Sequence, residues 1–83
     1  MTASEALQRH AGVKRNAAGK IIMRKPRLED VELAMHDGGV GFCIACGSEQ
    51  DGCEPDARNY TCEACGLDYV YGAEEIVLRG WVV

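Results

Sequence analysis

Much of what builds a large core or crosses a bilayer is scarce in this chain. Its 83 residues hold one tryptophan, one phenylalanine and three tyrosines. A chain this short buries little core, so its fold needs a staple. No stretch approaches the ~20 apolar residues of a membrane span; short runs such as Ile76-Val77-Leu78 are strand or core pieces. The opening MTASEALQRHAG is polar and mixed and lacks the apolar centre of a secretory signal. The expectation is a cytoplasmic protein with no membrane association, in a compartment that keeps thiols reduced. Only two histidines occur, His10 and His36. No serine–histidine–acid or cysteine–histidine arrangement can be composed from them, and nothing pairs the carboxylates into an acid/base couple. Gly38-Gly39-Val40-Gly41 lacks the lysine and the preceding strand of a phosphate-binding loop. The expectation is a protein that is not an enzyme.

What the chain does have is five cysteines, four of them in matched pairs: Cys43-Ile44-Ala45-Cys46-Gly47 and Cys62-Glu63-Ala64-Cys65-Gly66. The spacing C-x2-C-x15-C-x2-C is that of a four-thiolate zinc site. Two thiolates separated by two residues reach one ion through a tight turn, and the glycine that follows permits the backbone bend. Cys43, Cys46, Cys62 and Cys65 are therefore the expected ligands of one structural zinc ion, closed to substrate. Two disulfides are the competing use of such cysteines, and they belong to oxidising compartments. Cys53 has no such partner. It reads as a small apolar side chain of the loop, with Asp51 and Glu54 beside it opposing thiolate formation.

Charge divides the chain. Residues 1–27 carry seven basic residues against one acidic residue, a net +6, while residues 28–83 carry two basic against twelve acidic, a net −10. The segment KRNAAGKIIMRKPR contains Lys14, Arg15, Lys20, Arg24, Lys25 and Arg27 and no acid. Such a segment can neutralise phosphates and release counterions, or serve as a solubilising tail. Residues 1–26 are read as a basic, flexible arm and residues 27–83 as the folded domain. The domain also reads as able to begin at Met23, with residues 1–22 an extension before it. Within the arm, Thr2 and Glu5 suggest a capping box for a short helix over Ala3–His10 that Gly12 ends.

In the domain, Leu28, Val31, Ala34 and Met35 fall at helical spacing behind Pro26. Glu29, Asp30 and Glu32 sit where the helix dipole favours negative charge. The spacing predicts a helix over about residues 27–36, stopped by Gly38-Gly39. Val40-Gly41-Phe42 leads into the first knuckle, and residues 47–57 read as a polar loop. Arg58–Thr61 and Leu67–Tyr71 read as the strands flanking the second knuckle. Ala73–Leu78 reads as either a short helix or a last strand. Phe42, Tyr60, Leu67, Tyr69 and Ile76 are expected around the metal.

The paired knuckles resemble the zinc ribbon class of transcription factors, polymerase subunits and ribosomal proteins. More narrowly, Gly41–Gly47, Glu54-Pro55-Asp56-Ala57-Arg58 and Tyr71-Gly72-Ala73-Glu74-Glu75 look like small zinc ribbon proteins of bacteriophages and prophages. The knuckles also resemble those of rubredoxin, where iron transfers electrons, although rubredoxins separate theirs by a longer, aromatic-rich stretch. The ribbon resemblance implies a small metal-stabilised α+β fold with two knuckles on short antiparallel β-hairpins and a preceding helix. The function expected is an accessory adaptor on transcription or nucleic-acid machinery, with nucleic acid at the basic arm and a protein partner at the ribbon. An alternative is an acidic protein-binding inhibitor, using Glu54, Asp56, Glu74 and Glu75, that occupies a basic surface on a host nucleic-acid enzyme as a decoy for DNA. Either a monomer or a homodimer through Trp81-Val82-Val83 is consistent with the sequence.

Overall fold

The computed structural model describes residues 3–83, with only the backbone of Ser4 and Glu5; the capping box at Thr2 lies outside the described residues. Among the described residues, three helices and three strands follow one another as α1 (Ala3–His10), α2 (Leu28–Asp37), β1 (Val40–Cys43), β2 (Glu49–Asp51), β3 (Val70–Gly72) and α3 (Ala73–Leu78). The strands form one antiparallel sheet in the order β2-β1-β3. This is a small α+β fold. Among the described residues, no helix is long and apolar enough to cross a membrane.

The central strand explains the architecture. Side chains alternate faces along a strand, so β1 and the turn after it send Cys43 and Ala45 one way, Phe42 and Ile44 the other. On the first face the cysteine sulfurs gather with Val13, Ala57 and Val70. On the second, Phe42 and Ile44 join Tyr71, Val31 and Ala34 of α2, and Ala73 and Ile76 of α3. The sheet is thus the wall between two small cores. Val70 and Tyr71 repeat the division on β3.

This alternation corrects the expected surroundings of the metal. Leu67 packs against the cysteine cluster, whereas Phe42 and Ile76 belong to the helix core on the other face. Tyr60 and Tyr69 are each 36% exposed. The polar stretch 47–57 contains a strand, β2, which pairs Val40 with Asp51 and Phe42 with Glu49. Arg58–Thr61 contributes only the single bridge Tyr60–Val70.

Helix α2 lies one residue from its expected bounds, and Val31 and Ala34 are its buried residues. Leu28 and Met35 are largely exposed. Gly38 closes the helix in the left-handed conformation and donates to the Ala34 carbonyl. Residues 73–78 form a helix, not a strand. The chain end returns to this core: Trp81 meets the Tyr71 ring edge-on at 5.0 Å. Val83 and residues 26–28 exchange two backbone hydrogen bonds, Leu28 N–H to Val83 O and Val83 N–H to Pro26 O.

A buried acid joins the second core to the loop before β3. Glu75 is 4% exposed, and its Oε1 lies 2.6 Å from Arg79 Nε and 3.0 Å from Arg58 Nε. Hydrogen bonding from Arg79, helped by Arg58, outweighs burial and holds the carboxyl below its ordinary range. Glu75 is therefore unavailable to the acidic binding face expected from the sequence; Glu54, Asp56 and Glu74 are exposed.

Candidate metal centre and basic surface

Each cysteine pair sits in a tight turn, and the two turns carry the same backbone hydrogen bonds. In the first, Gly47 N–H donates to Cys43 O (2.8 Å) and Cys43 N–H to Ser48 O (2.9 Å). In the second, Gly66 N–H donates to Cys62 O (2.8 Å) and Cys62 N–H to Leu67 O (2.8 Å). Gly47 and Gly66 have φ of 84° and 77°, a left-handed conformation costly for any residue with a Cβ. The repeated Cys-x-x-Cys-Gly is thus a repeated backbone geometry.

The turns face each other and bring four buried sulfurs together, all within 4.8 Å of one another. Cys43 Sγ lies 3.7 Å from Cys65 Sγ, and Cys46 Sγ 3.6 Å from Cys62 Sγ. A tetrahedron with metal–sulfur bonds of about 2.3 Å has edges of about 3.8 Å, so these residues fit one metal ion. The structure brings together all four cysteines predicted from the spacing.

The thiols differ in their environments. Burial pushes Cys43 far up and Cys65 up to about 11. Burial opposes the Cys62 thiolate as well, but hydrogen bonds from Ser48 and from the Cys65 and Ala64 amides outweigh it and bring Cys62 down to about 6. Ser48 is a residue that the spacing argument missed. Its Oγ stands 3.1 Å from Cys46 Sγ and 3.4 Å from Cys62 Sγ, where a hydroxyl can donate to thiolate. The available signal was the asymmetry after the two glycines, serine in one turn and leucine in the other. Gln50 on β2 ties the hairpin to the second turn, accepting from Glu63 N–H and donating to Thr61 O.

Cys53 stands apart from the four sulfurs. It is 3% exposed, and burial, reinforced by Asp51 and Glu63, raises its thiol. Its sulfur fills the space over Gly41, where a Cβ would approach to 2.8 Å.

The basic segment is laid against the metal module, with contacts that its polar, small composition did not suggest. Val13 is buried in the cysteine cluster, with Ala11 and Ile21 packed beside it. Between these anchors the chain reverses: Ile22 N–H donates to Lys14 O, and the Asn16 side chain accepts from the Ala18 and Lys20 amides. Arg24 N–H then donates to Ile44 O at 2.7 Å, and Arg24 Nη1 to Gly12 O. Residues 11–24 form a strap across the first turn.

The six cations named from the sequence are all exposed, but they do not form one cluster. Arg15 and Lys20 line a common cleft with Tyr69. Arg24 lies along Gly47, and Arg27 pairs with Glu29. Lys14, Lys20 and Lys25 have no ion pair among the described residues. Comparison with protein-family models, curated proteins and solved structures finds no match to this chain.

Proposed function

We propose that this chain is a non-enzymatic zinc ribbon whose ion is structural and whose task is binding, as an accessory adaptor on nucleic acid or the machinery that handles it. The resemblance to small bacteriophage ribbons is consistent with that role. Zinc suits the donor set, since four thiolates form its usual closed structural site. Bound there, it cross-links the two turns and leaves no coordination position for a substrate. The chain's own residues supply the rest: burial excludes water, and the Ser48 hydroxyl stands within reach of Cys46 Sγ and Cys62 Sγ, able to donate to one of them.

The observation that carries the binding reading is the strap. Its backbone hydrogen bonds and buried Val13 hold Lys14, Arg15, Lys20 and Arg24, with Lys25 just beyond them, on a segment laid against the metal module instead of a trailing one. A fixed cationic surface neutralises phosphates with less ordering cost than a free tail.

The test is oligonucleotide binding by the zinc-loaded chain across a salt series, compared with a variant in which these five residues and Arg27 become glutamine. The reading expects affinity that falls steeply with salt and is lost in the variant. Equal binding by both proteins would refute it.

A further inference from the structure

The cleft shared by Arg15, Lys20 and Tyr69 has a more specific shape than a general phosphate-binding surface requires. Its volume is about 310 Å³ and it is lined by Arg15, Lys20, Ile21, Met23, Ile44 and Tyr69. That places it at the lower end of the ~300–1,000 Å³ typical of small-ligand sites. It lies on the seam between strap and metal module, and backbone bonds join its parts. Ile44 N–H donates to Tyr69 O at 3.0 Å, while Ile44 O accepts from Arg24 N–H. The Arg15 guanidinium is positioned by Gln8 Oε1 and by the Gly19 carbonyl, each at 2.9 Å. No carboxylate is among its lining residues.

The lining therefore combines two cations with an aromatic ring and three aliphatic side chains. Tyr69, expected from the sequence to pack around the metal, is 36% exposed, and so is Met23. Cations alone would suit any polyanion. A ring and aliphatic surface beside them suit an anion that carries a flat apolar group. In a duplex the bases are stacked and paired, and such a concavity meets only phosphates and sugars. In a single strand each base can turn outward and stack on an aromatic side chain while its phosphate meets a cation.

We propose that this cleft holds one nucleotide of a single-stranded nucleic acid, its base against Tyr69 and its phosphate at Lys20 and Arg15. The inference rests on the nucleic-acid reading above and narrows it. RNA and DNA strands share the chemistry the cleft would recognise, and their sugars separate them in the test.

The experiment is fluorescence anisotropy of the full zinc-loaded chain with labelled oligouridylate, oligodeoxyuridylate and a mixed-sequence duplex, each of about 12 nucleotides or base pairs, within the site sizes usual for single-strand binders. The proposal expects at least one single strand to bind more tightly than the duplex. Tyr69→Ala should weaken that binding by about 5- to 150-fold, the worth of one stacked base, while Tyr69→Phe retains it. Lys20→Gln should lower the slope of log affinity against log salt by about 0.7, one phosphate contact. Zinc content and circular dichroism of each variant check that the fold is kept. Lys20 is exposed, so its variant keeps the proposal testable should Tyr69→Ala fail to fold.

Duplex preferred over both single strands would overturn the proposal. So would single-strand binding that neither Tyr69→Ala nor Lys20→Gln alters, although the broader nucleic-acid reading would then survive. If none of the three probes binds at about 50 mM salt, where phosphate contacts are strong, both readings fall together.

Discussion

If the ion at the four cysteines is zinc, as proposed above, its withdrawal should unfold both cores, including the one that does not touch the metal. Structural zinc contributes an apparent ~10–16 kcal/mol in small peptides at neutral pH. A domain has a net stability of ~0.05–0.15 kcal/mol per residue, or about 4–12 kcal/mol for the 83 residues of this chain. The metal term is therefore comparable to or larger than the whole. Trp81 makes the test sharp. It packs on Tyr71 in the helix core, on the face of the sheet opposite the sulfurs. If the cores are coupled through β1 and β3, Trp81 fluorescence and the helical circular dichroism should fall together during chelator titration, with the loss of one ion per chain. Retention of a native Trp81 signal and helix content in the zinc-free protein would refute the reasoning, because the helix core would then stand without the metal.

Four further outcomes are expected. Gly72→Ala drives a Cβ into the backbone carbonyls of Glu54 and Pro55; because these are backbone atoms that cannot swing aside, it should cost ~1–3 kcal/mol or more, and an unchanged denaturation midpoint at fixed excess zinc would contradict this. Ile76→Ala should cost ~2–5 kcal/mol, whereas Leu78→Ala, at a site 76% exposed, should stay within ~0.5 kcal/mol; equal effects in urea denaturation would place α3 wrongly. Ser48→Ala should weaken zinc binding by about 10–100-fold, as loss of an outer hydrogen bond to a metal ligand does, read by competition with a chromophoric chelator; unchanged affinity would remove Ser48 from the site. Zinc uptake at pH 7 should release about four protons per ion, because the unfolded zinc-free chain holds the thiols of Cys43, Cys46, Cys62 and Cys65 near the ordinary value of about 8.5 and therefore protonated. Bound zinc holds its ligand thiols ionised below their unfolded pKa of about 8.5, so the stability it supplies is present above that value and lost as pH falls; calorimetry in buffers of different ionisation enthalpy that finds no proton release at pH 7 would refute the assignment.

The parts of this molecule legible in sequence are those specified by local spacing. The cysteine turns, α1 and α2 each carry their own signal: a repeated Cys-x-x-Cys-Gly, a glycine after His10 and Ala11, an apolar stripe behind a proline. What was not legible depends on distant partners. Glu49–Asp51 is polar and without alternation, and it becomes a strand because β1 presents it with an edge to pair. Residues 73–78 suit helix or strand by propensity, and the helix prevails where Ala73 and Ile76 meet Val31 and Phe42. Phe42 neighbours Cys43 in sequence and faces away from it, since adjacent strand residues point to opposite sides. The strap has Ala11, Val13 and Ile21 as its apolar anchors, and backbone hydrogen bonds, which leave no mark in composition, do the remainder.

Neither cysteine turn is left bare. Arg24 lies along Gly47 at 3.7 Å from the position a Cβ would take, and Leu7 of α1 reaches to 3.4 Å of the corresponding position at Gly66. An ion leaving the four sulfurs requires one turn to open, and opening displaces a side chain drawn from the first 24 residues. The lifetime of an ion bound there would thereby depend on a segment that supplies none of its ligands. A chain shorn of that segment could hold zinc with the same four cysteines and yet exchange it faster.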